Sequence, residues 1–496
     1  MPVISLPNDP NLEQLRRQAK ELRDSIRAGE PRALSLAAEH HPSGAPKVVD
    51  QAKFALSSAQ LVVARRYGFA SWAKLKRHLD VVAEFSRTPD RHKAAATPAD
   101  EFLRLGCLTY NDDDSEPQKR ARALLAAQPE IVGDSIHAAA AANDVVHVQR
   151  WLTDDPALAH AEGGPFAWPP LLYLTYSRVD PDVSIDAVLG IARRLLGAGA
   201  DPNAGYLWAG TYVFTALTGV FGEGELGPRR QPRHPHSLAL ARVLLEAGAD
   251  ANDAQTLYNR MFLPDNDHLE LLFEFGLGSG DGGPWKRRLG AALESPVEMV
   301  RSQLQWAVTH GMVERTQLLI DHGVDFVAAF DDGRTPCNAA ALSGHGAVVD
   351  LLVANGAPPP DLEPADALIA AALLGDRASI GRIRAQHPNA LEIARERRPG
   401  LVAWAATHSP DSIALCVDLG FDVNALGRSD APVEGKWETA LHEAASQGNS
   451  DLVQRLLALG ADPNIRDKRF DNTPLGWARY FEQAEIVELL TPLTET

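Results

Sequence analysis

Three places in this chain combine residue types and spacings that suggest chemistry: an acidic triplet, an arginine-histidine segment, and a basic pair of helices near the start. Asp112, Asp113 and Asp114 form the only acidic triplet, and adjacent carboxylates suit a hard cation such as magnesium. No second acidic cluster stands at a fixed helical spacing, so solvated charges in a helix-helix loop are expected and no metal is assigned. Gly227 to Ser237, GPRRQPRHPHS, joins three arginines, two histidines and three prolines. It offers cations to an anion, but its composition reads as a solvated insertion between two helices of one unit. Arg65, Arg66, Lys74, Lys76 and Arg77 lie close together with Tyr67, Phe69 and Trp72 between them. Two helices joined by a short glycine turn have the form of a helix-turn-helix, which raises DNA binding as an alternative function. The aromatics read better as core and the cations as a solvated face, so nucleic acid is not the expected partner. Serine-nucleophile motifs, phosphate-cradling glycine loops and His/Cys metal spacings do not occur. The expectation is therefore a non-enzyme without a cofactor; an enzyme or small-molecule binder would need a pocket built from scattered residues.

The elements that position these residues follow from composition and periodicity. At 496 residues, 45% hydrophobic, 23% charged and 6% aromatic, the chain is too long for one ordinary core and reads as several domains or an extended repeat array. A net charge of −17 argues against a surface that neutralises phosphates along its whole length. The charge is uneven: residues 1–95 hold roughly 16 Lys/Arg against 10 Asp/Glu, near +6, leaving about −23 for the rest. Cys107, Cys337 and Cys416 are too few and too far apart for a disulfide framework. A cytoplasmic location is expected, since the N-terminus lacks a basic stretch followed by an apolar run and no apolar run is long enough to span a bilayer.

Two stretches set a repeat: TALHEAASQGNSDLVQRLLALGADPN, Thr439 to Asn464, and DDGRTPCNAAALSGHGAVVDLLVANGAPP, Asp331 to Pro359. Thr439 and Thr335 are placed to cap a first helix, and Pro336 suits the first helical position. Ala444 and Ala445 are small enough to let helices approach closely, and Gly448 and Gly344 end the first helix. Val453, Leu456 and Leu457 put one apolar stripe on a second helix, and Gly460 supplies its left-handed cap. The pattern resembles the ankyrin family, with its repeat of about 33 residues and T-P-L-H-x-A signature. Leading apolar residues then fall at Ile136, Leu171, Leu217, Leu257, Leu304, Cys337, Leu368, Leu401, Leu441 and Leu475, about ten units. Gly-Ala-like exits recur at Gly199, Gly248, Gly323, Gly356, Gly420 and Gly460. Arg260 and Met261 replace the paired alanines of the unit at Leu257, which leaves its first helix open. Glu482 stands where the last unit should have glycine, as suits a terminal cap.

The fold class that follows is all-α: an ankyrin-repeat solenoid over 134–492 with short β-hairpin loops, preceded by an N-terminal helical leader, 1–95, and a docking helix pair, 96–133. In the leader, Leu12, Leu15, Ala19, Leu22 and Ile26 form one helix face, with Asp9 and Pro10 as its start signal, and Ser71 caps the helix after Gly68. The run from LEQLRRQAKEL to YGFASWAKLKRHL is similar to the leader of a group of bacterial ankyrin proteins. FLRLGCLTYNDDDSEPQKRARALLAAQPEI reads as the docking pair, bent between Asn111 and Pro117.

The resemblance implies an interaction scaffold with a protein partner and structural roles for His442 and His137 at the signature histidine position. It also implies a binding face on the concave side, made of hairpin tips and the outward face of each first helix. Counting along each unit puts Tyr173, Tyr176, Trp306, Glu443, Ser446, Trp477 and Tyr480 there, and loops add Tyr206, Trp208 and Trp437. Interface hot spots are enriched in Trp, Tyr and Arg, so these residues form the expected binding set.

Overall fold

The computed structural model describes Ile4, Leu6 and residues 10–92, 95–110, 116–428 and 436–495. Asp9, the Asp112–Asp114 triplet and most of the Asn111–Pro117 bend lie outside the described residues. The described chain is mostly helical and divides into two compact units, Met1–Met299 and Val300–Thr496. The division falls within the stretch expected to be one array.

The first unit opens with helix Leu12–Arg27, started by Asn11, whose side chain accepts the Glu13 amide. Its buried residues include Leu15, Ala19 and Ile26, the face that the 3-4 spacing predicts. Helices Leu56–Arg66 and Trp72–Phe85 follow, and Ser71 caps the latter by accepting from Lys74. Two further helices, Pro31–His40 and Val48–Gln51, were not anticipated. Helices Pro98–Gly106 and Pro117–Ala127 occupy the stretch read as a docking pair.

Four helix pairs complete this unit, beginning at Ile136–Ala141, Pro170–Tyr176, Ala216–Phe221 and Ala254–Arg260. Successive first helices pack directly on one another, which the small residues Ala138–Ala141 permit at full burial. The strands are short: Gly205–Trp208 pairs antiparallel with Tyr212–Thr215 as a hairpin and parallel with the leader segment Ser86–Arg87. The leader is thereby joined to the repeats through a backbone ladder that its sequence does not announce.

The unit at Leu257 does form its first helix, and Arg260 explains how. Its side chain is fully buried and pairs with Glu223, Asp265 and Asp267; Arg233 bridges Glu223 at 3.1 Å and Asp267 at 2.6 Å. The GPRRQPRHPHS segment is therefore no solvated insertion. It carries Arg233 into this network and buries Gln231 and His234, because the buried Glu223 needs compensating charge.

In the second unit, helix pairs begin at Pro336–Leu342, Pro364–Leu373, Leu401–His408, Ala440–Ser446 and Pro474–Tyr480, following helices Pro296–Thr309 and Val313–Asp321; an extra helix, Ala390–Arg397, precedes the third. The place seven residues after the leading residue adopts a left-handed conformation at Asn143, Gly311, Gly344, Gly375, Gly448 and Glu482, with φ between 57° and 86°. That backbone requirement explains the recurring glycine, and the last repeat keeps it even with glutamate. The unit at Leu401 lacks this feature: His408 ends the helix and Ser409 follows it with φ −152°.

Removing Arg260 tests the network. Arg260→Ala leaves the buried Glu223 with Arg233 but without its buried partner and should cost about 3–5 kcal/mol of unfolding free energy, measured by denaturant titration. A loss below about 1 kcal/mol would show that the carboxylates find water instead.

Candidate functional site

The structure splits the expected binding residues into three groups. Tyr173, Tyr176 and Tyr206 are not surface residues; each is at most 2% exposed. Tyr173 donates to the Gly163 carbonyl at 2.9 Å, Tyr176 donates to the Thr215 carbonyl at 2.9 Å, and Tyr206 stacks on Trp168 at 5.0 Å. Trp208 is half-buried beside Tyr212 and Phe214. The loop ending at Trp168 and the hairpin 205–215 pack over the three tyrosines, so Tyr173, Tyr176 and Tyr206 serve packing. A neighbouring cavity, lined by Asn203, Thr215, Asp253 and Trp285, has a volume of about 30 Å³, room for a single water.

The second group gathers near the C-terminal end. Trp477 is also corrected to a buried residue, its indole N–H donating to Asp467 at 3.0 Å. Asp467 additionally accepts the amides of Arg469, Phe470 and Asn472. Burial alone would raise this carboxyl, but those backbone amides and the Trp477 indole hold it below its ordinary value. The ionised side chain thus pins the loop and turns Phe470 outward, 62% exposed. Arg469 lies 4.7 Å from the Trp437 ring and 5.2 Å from Phe470, and Arg428 lies 5.2 Å from Trp437. Trp437 is half-buried, while Tyr480 and Phe481 are exposed and meet edge to face at 5.1 Å. Glu443 and Ser446 sit half-buried on the preceding first helix, where Ser446 donates to the Glu443 carbonyl. Counting along helices ignores the loop and so misses Arg469 and Phe470, whose signal is the KRF run before the last repeat; Phe481, the C-cap of helix Pro474–Tyr480, lies one place beyond the counted positions.

Trp306 belongs to a third group. Residues 306–310 and 404–408 both read Trp-Ala-x-Thr-His, and in both the imidazole stacks on the indole, at 3.7 Å for Trp306–His310 and 3.8 Å for Trp404–His408. His310 and His408 have ring centres 5.4 Å apart, and His345 is 5.4 Å from His408. Arg398 lies 5.4 Å from the Trp404 ring and donates to the Leu342 carbonyl, while Trp404 donates to Ser343. Asp265, Asp267 and His268 also bring metal-type ligand atoms together, but Arg260 and Arg233 already neutralise those carboxylates.

Residues 304–353 and 432–475, which contain the third group's first motif and most of the second group, match family models described as ankyrin repeats, many copies. These segments are ankyrin repeats. The chain is also similar to the ankyrin repeat protein nuc-2 of Neurospora crassa, 24% identical over 266 residues, which are 52% of this chain and 23% of that protein. It is 31% identical over 119 residues to the ankyrin repeat domain-containing protein SAT10 of Stachybotrys chartarum, 23% of this chain and 6% of that one. A protein named L-asparaginase from Dirofilaria immitis is 29% identical over 188 residues, 37% of this chain and 30% of that protein. The chain spans less than a third of the length of each. None of the three is bacterial, so they lend no support to the bacterial grouping or to its leader. Ankyrin repeats imply a protein-interaction scaffold, and no described helix is long and apolar enough to cross a membrane.

His442 shows how an ankyrin signature residue works here. Its Nδ1 accepts from Thr439, and its Nε2–H donates to the Asn472 carbonyl of the next repeat at 3.0 Å. His137 makes the same kind of bond to Ala161. Burial pushes the His442 pKa down, against the Asn472 bond and Asp467. A base whose folded pKa is depressed favours folding while neutral, so its contribution is whole above about pH 6.5 and is lost as pH falls through the lower folded value. Melting temperature should therefore drop by several degrees between pH 7 and pH 5, and His442→Gln should flatten part of that slope. An identical slope in the variant would mean the acid sensitivity lies elsewhere.

Proposed function

We propose that this chain is a non-catalytic ankyrin scaffold that binds a protein partner through the tip and first helix of its last two repeats. The observation that carries the reading is Phe470, a large apolar side chain held out in solvent by a loop that Asp467 pins and Arg469 covers on one side. Exposed apolar area gains roughly 25 cal/mol per Å² when a partner covers it, and aromatic-arginine clusters are typical anchors. Tyr480 and Phe481 extend the same apolar area. Glu443 and Ser446 stand beside it as polar rim.

The partner's charge follows from the surroundings. Lys436, Arg466, Lys468, Arg469 and Arg479 are exposed against Asp471 and Glu482, so a basic, aromatic tip stands on a chain of net charge −17. An acidic segment with an apolar residue at its centre suits it, by complementarity. The enzyme name of one relative is not carried over, because the matched part is 30% of that protein.

Affinity capture with the wild type and with the double variant Arg469→Ala, Phe470→Ala, followed by titration of the captured partner, tests the reading. Affinity should fall roughly 30-fold, about 2 kcal/mol, with the melting temperature nearly unchanged. Unaltered affinity would remove the tip from the interface.

A further inference from the structure

Between Asp50 and Asp80 the chain carries six cations and no acidic residue. Five of them gather where helices Leu56–Arg66 and Trp72–Phe85 meet: Arg65 and Arg66 on the last turn of one, and Lys74, Lys76 and Arg77 on the opening turns of the other. The connection is tight. Gly68 takes φ 83°, its amide donates to the Arg65 carbonyl at 3.0 Å, and the Phe69 amide donates to the Ala64 carbonyl at 2.9 Å. Cations and core residues alternate along both helices. Val63, Ala64, Tyr67, Leu75 and Leu79 pack with Leu15 and Ala19, while Lys74, Lys76 and Arg77 stay exposed and Arg65 and Arg66 half-buried. The patch thus stands on a packed core that fixes the backbone beneath it.

No carboxylate answers these charges. Among the described residues none of the five cations forms an ion pair. Helix Leu12–Arg27, which shares their core, has three acids, but Glu13, Glu21 and Asp24 are taken by Arg16, Arg17 and Arg23 of the same helix. Lys74 also stands in a first turn that holds no acid, where the helix dipole favours negative charge. An anion settling on the patch relieves both conflicts.

We infer that this patch binds the phosphate backbone of a nucleic acid duplex without reading its sequence. Other polyanionic partners fit less well. A bilayer surface takes apolar side chains along with cations, but the exposed Val48 and Val49 precede the start of helix Leu56–Arg66, whereas the cations gather at its end, about 16 Å further by helical rise. Single strands need exposed rings to stack on, and here Tyr67 is buried and Phe69 and Trp72 are half-buried. An acidic protein would be held by an apolar anchor at the centre of its interface, and between Val49 and Val146 no described large apolar side chain is exposed. The aromatics are core, as their pattern suggests, and the cations alone make the contact. Gly68, Ala70 and Ala73, small and exposed between them, let a phosphate chain come close. This activity is independent of the protein-binding tip: the leader holds a duplex and the last repeats hold a protein.

Fluorescence anisotropy of the full chain with a labelled DNA duplex tests the proposal. Binding should be micromolar at about 50 mM salt and fall roughly 100-fold by about 200 mM, the loss for about four phosphate contacts. A duplex of unrelated sequence and an RNA duplex should bind alike, and phosphatidylserine vesicles more weakly. The variant Lys74→Glu, Lys76→Glu, Arg77→Glu should bind at least about tenfold more weakly; acids suit the start of a helix, so it should fold. The variant Arg377→Glu, Arg382→Glu, Arg384→Glu reverses as many exposed charges in the second unit and should leave duplex affinity nearly unchanged. Equal loss from the two variants, a fall of less than about tenfold over that salt range, or vesicle binding as tight as duplex binding overturns the proposal. Should the leader variant fail to fold, the salt dependence and the vesicle comparison on the wild type decide.

Discussion

No helix pair in this chain can bury its own apolar stripe, and everything else in the structure answers to that constraint. The pair is covered only when the next one stacks on it, and close stacking requires small side chains at the contact. Ala138 to Ala141, Ala339 to Ala341, Ala371 and Ala372, and Ala444 and Ala445 supply them. The chain must also reverse sharply between the two helices of a pair, which sets the left-handed residue shared by Asn143, Gly344, Gly448 and Glu482. Histidines such as His442 then tie the polar backbone of one repeat to that of the next.

These requirements are why the repeats were legible. Paired alanines, the left-handed position and the capping threonine each follow from backbone geometry, so they recur where the geometry recurs. The unit at Leu257 hid its first helix because it solves the same problem differently. A buried arginine with three carboxylates stands where small side chains usually do, and its partners come from segments before and after it in sequence. Nothing in local periodicity marks such a network.

The candidate site was legible only in part, for a related reason. Counting along a helix gives the direction of a side chain but not what lies over it. Tyr173 and Tyr176 are buried, because the loop ending at Trp168 and the hairpin around Tyr206 pack against them. In the last repeat Tyr480 is exposed. Trp477 is taken up by Asp467, and its burial in turn holds out Phe470. The leader's attachment through Ser86–Arg87 was invisible because a two-residue strand has no periodicity.

On the proposed reading, the buried Tyr173, Tyr176 and Tyr206 hold the repeats together, whereas the exposed Phe470 and Tyr480 at the last tip meet a partner. Site-directed photo-crosslinking in an extract of the protein's own cells separates them most directly, with a benzophenone side chain placed at Phe470 in one protein and at Tyr212, an exposed residue of the first unit, in another. The account predicts a discrete crosslinked partner with an acidic contact segment from position 470 and none from position 212. Crosslinks to the same partner from position 212, with none from position 470, would contradict it.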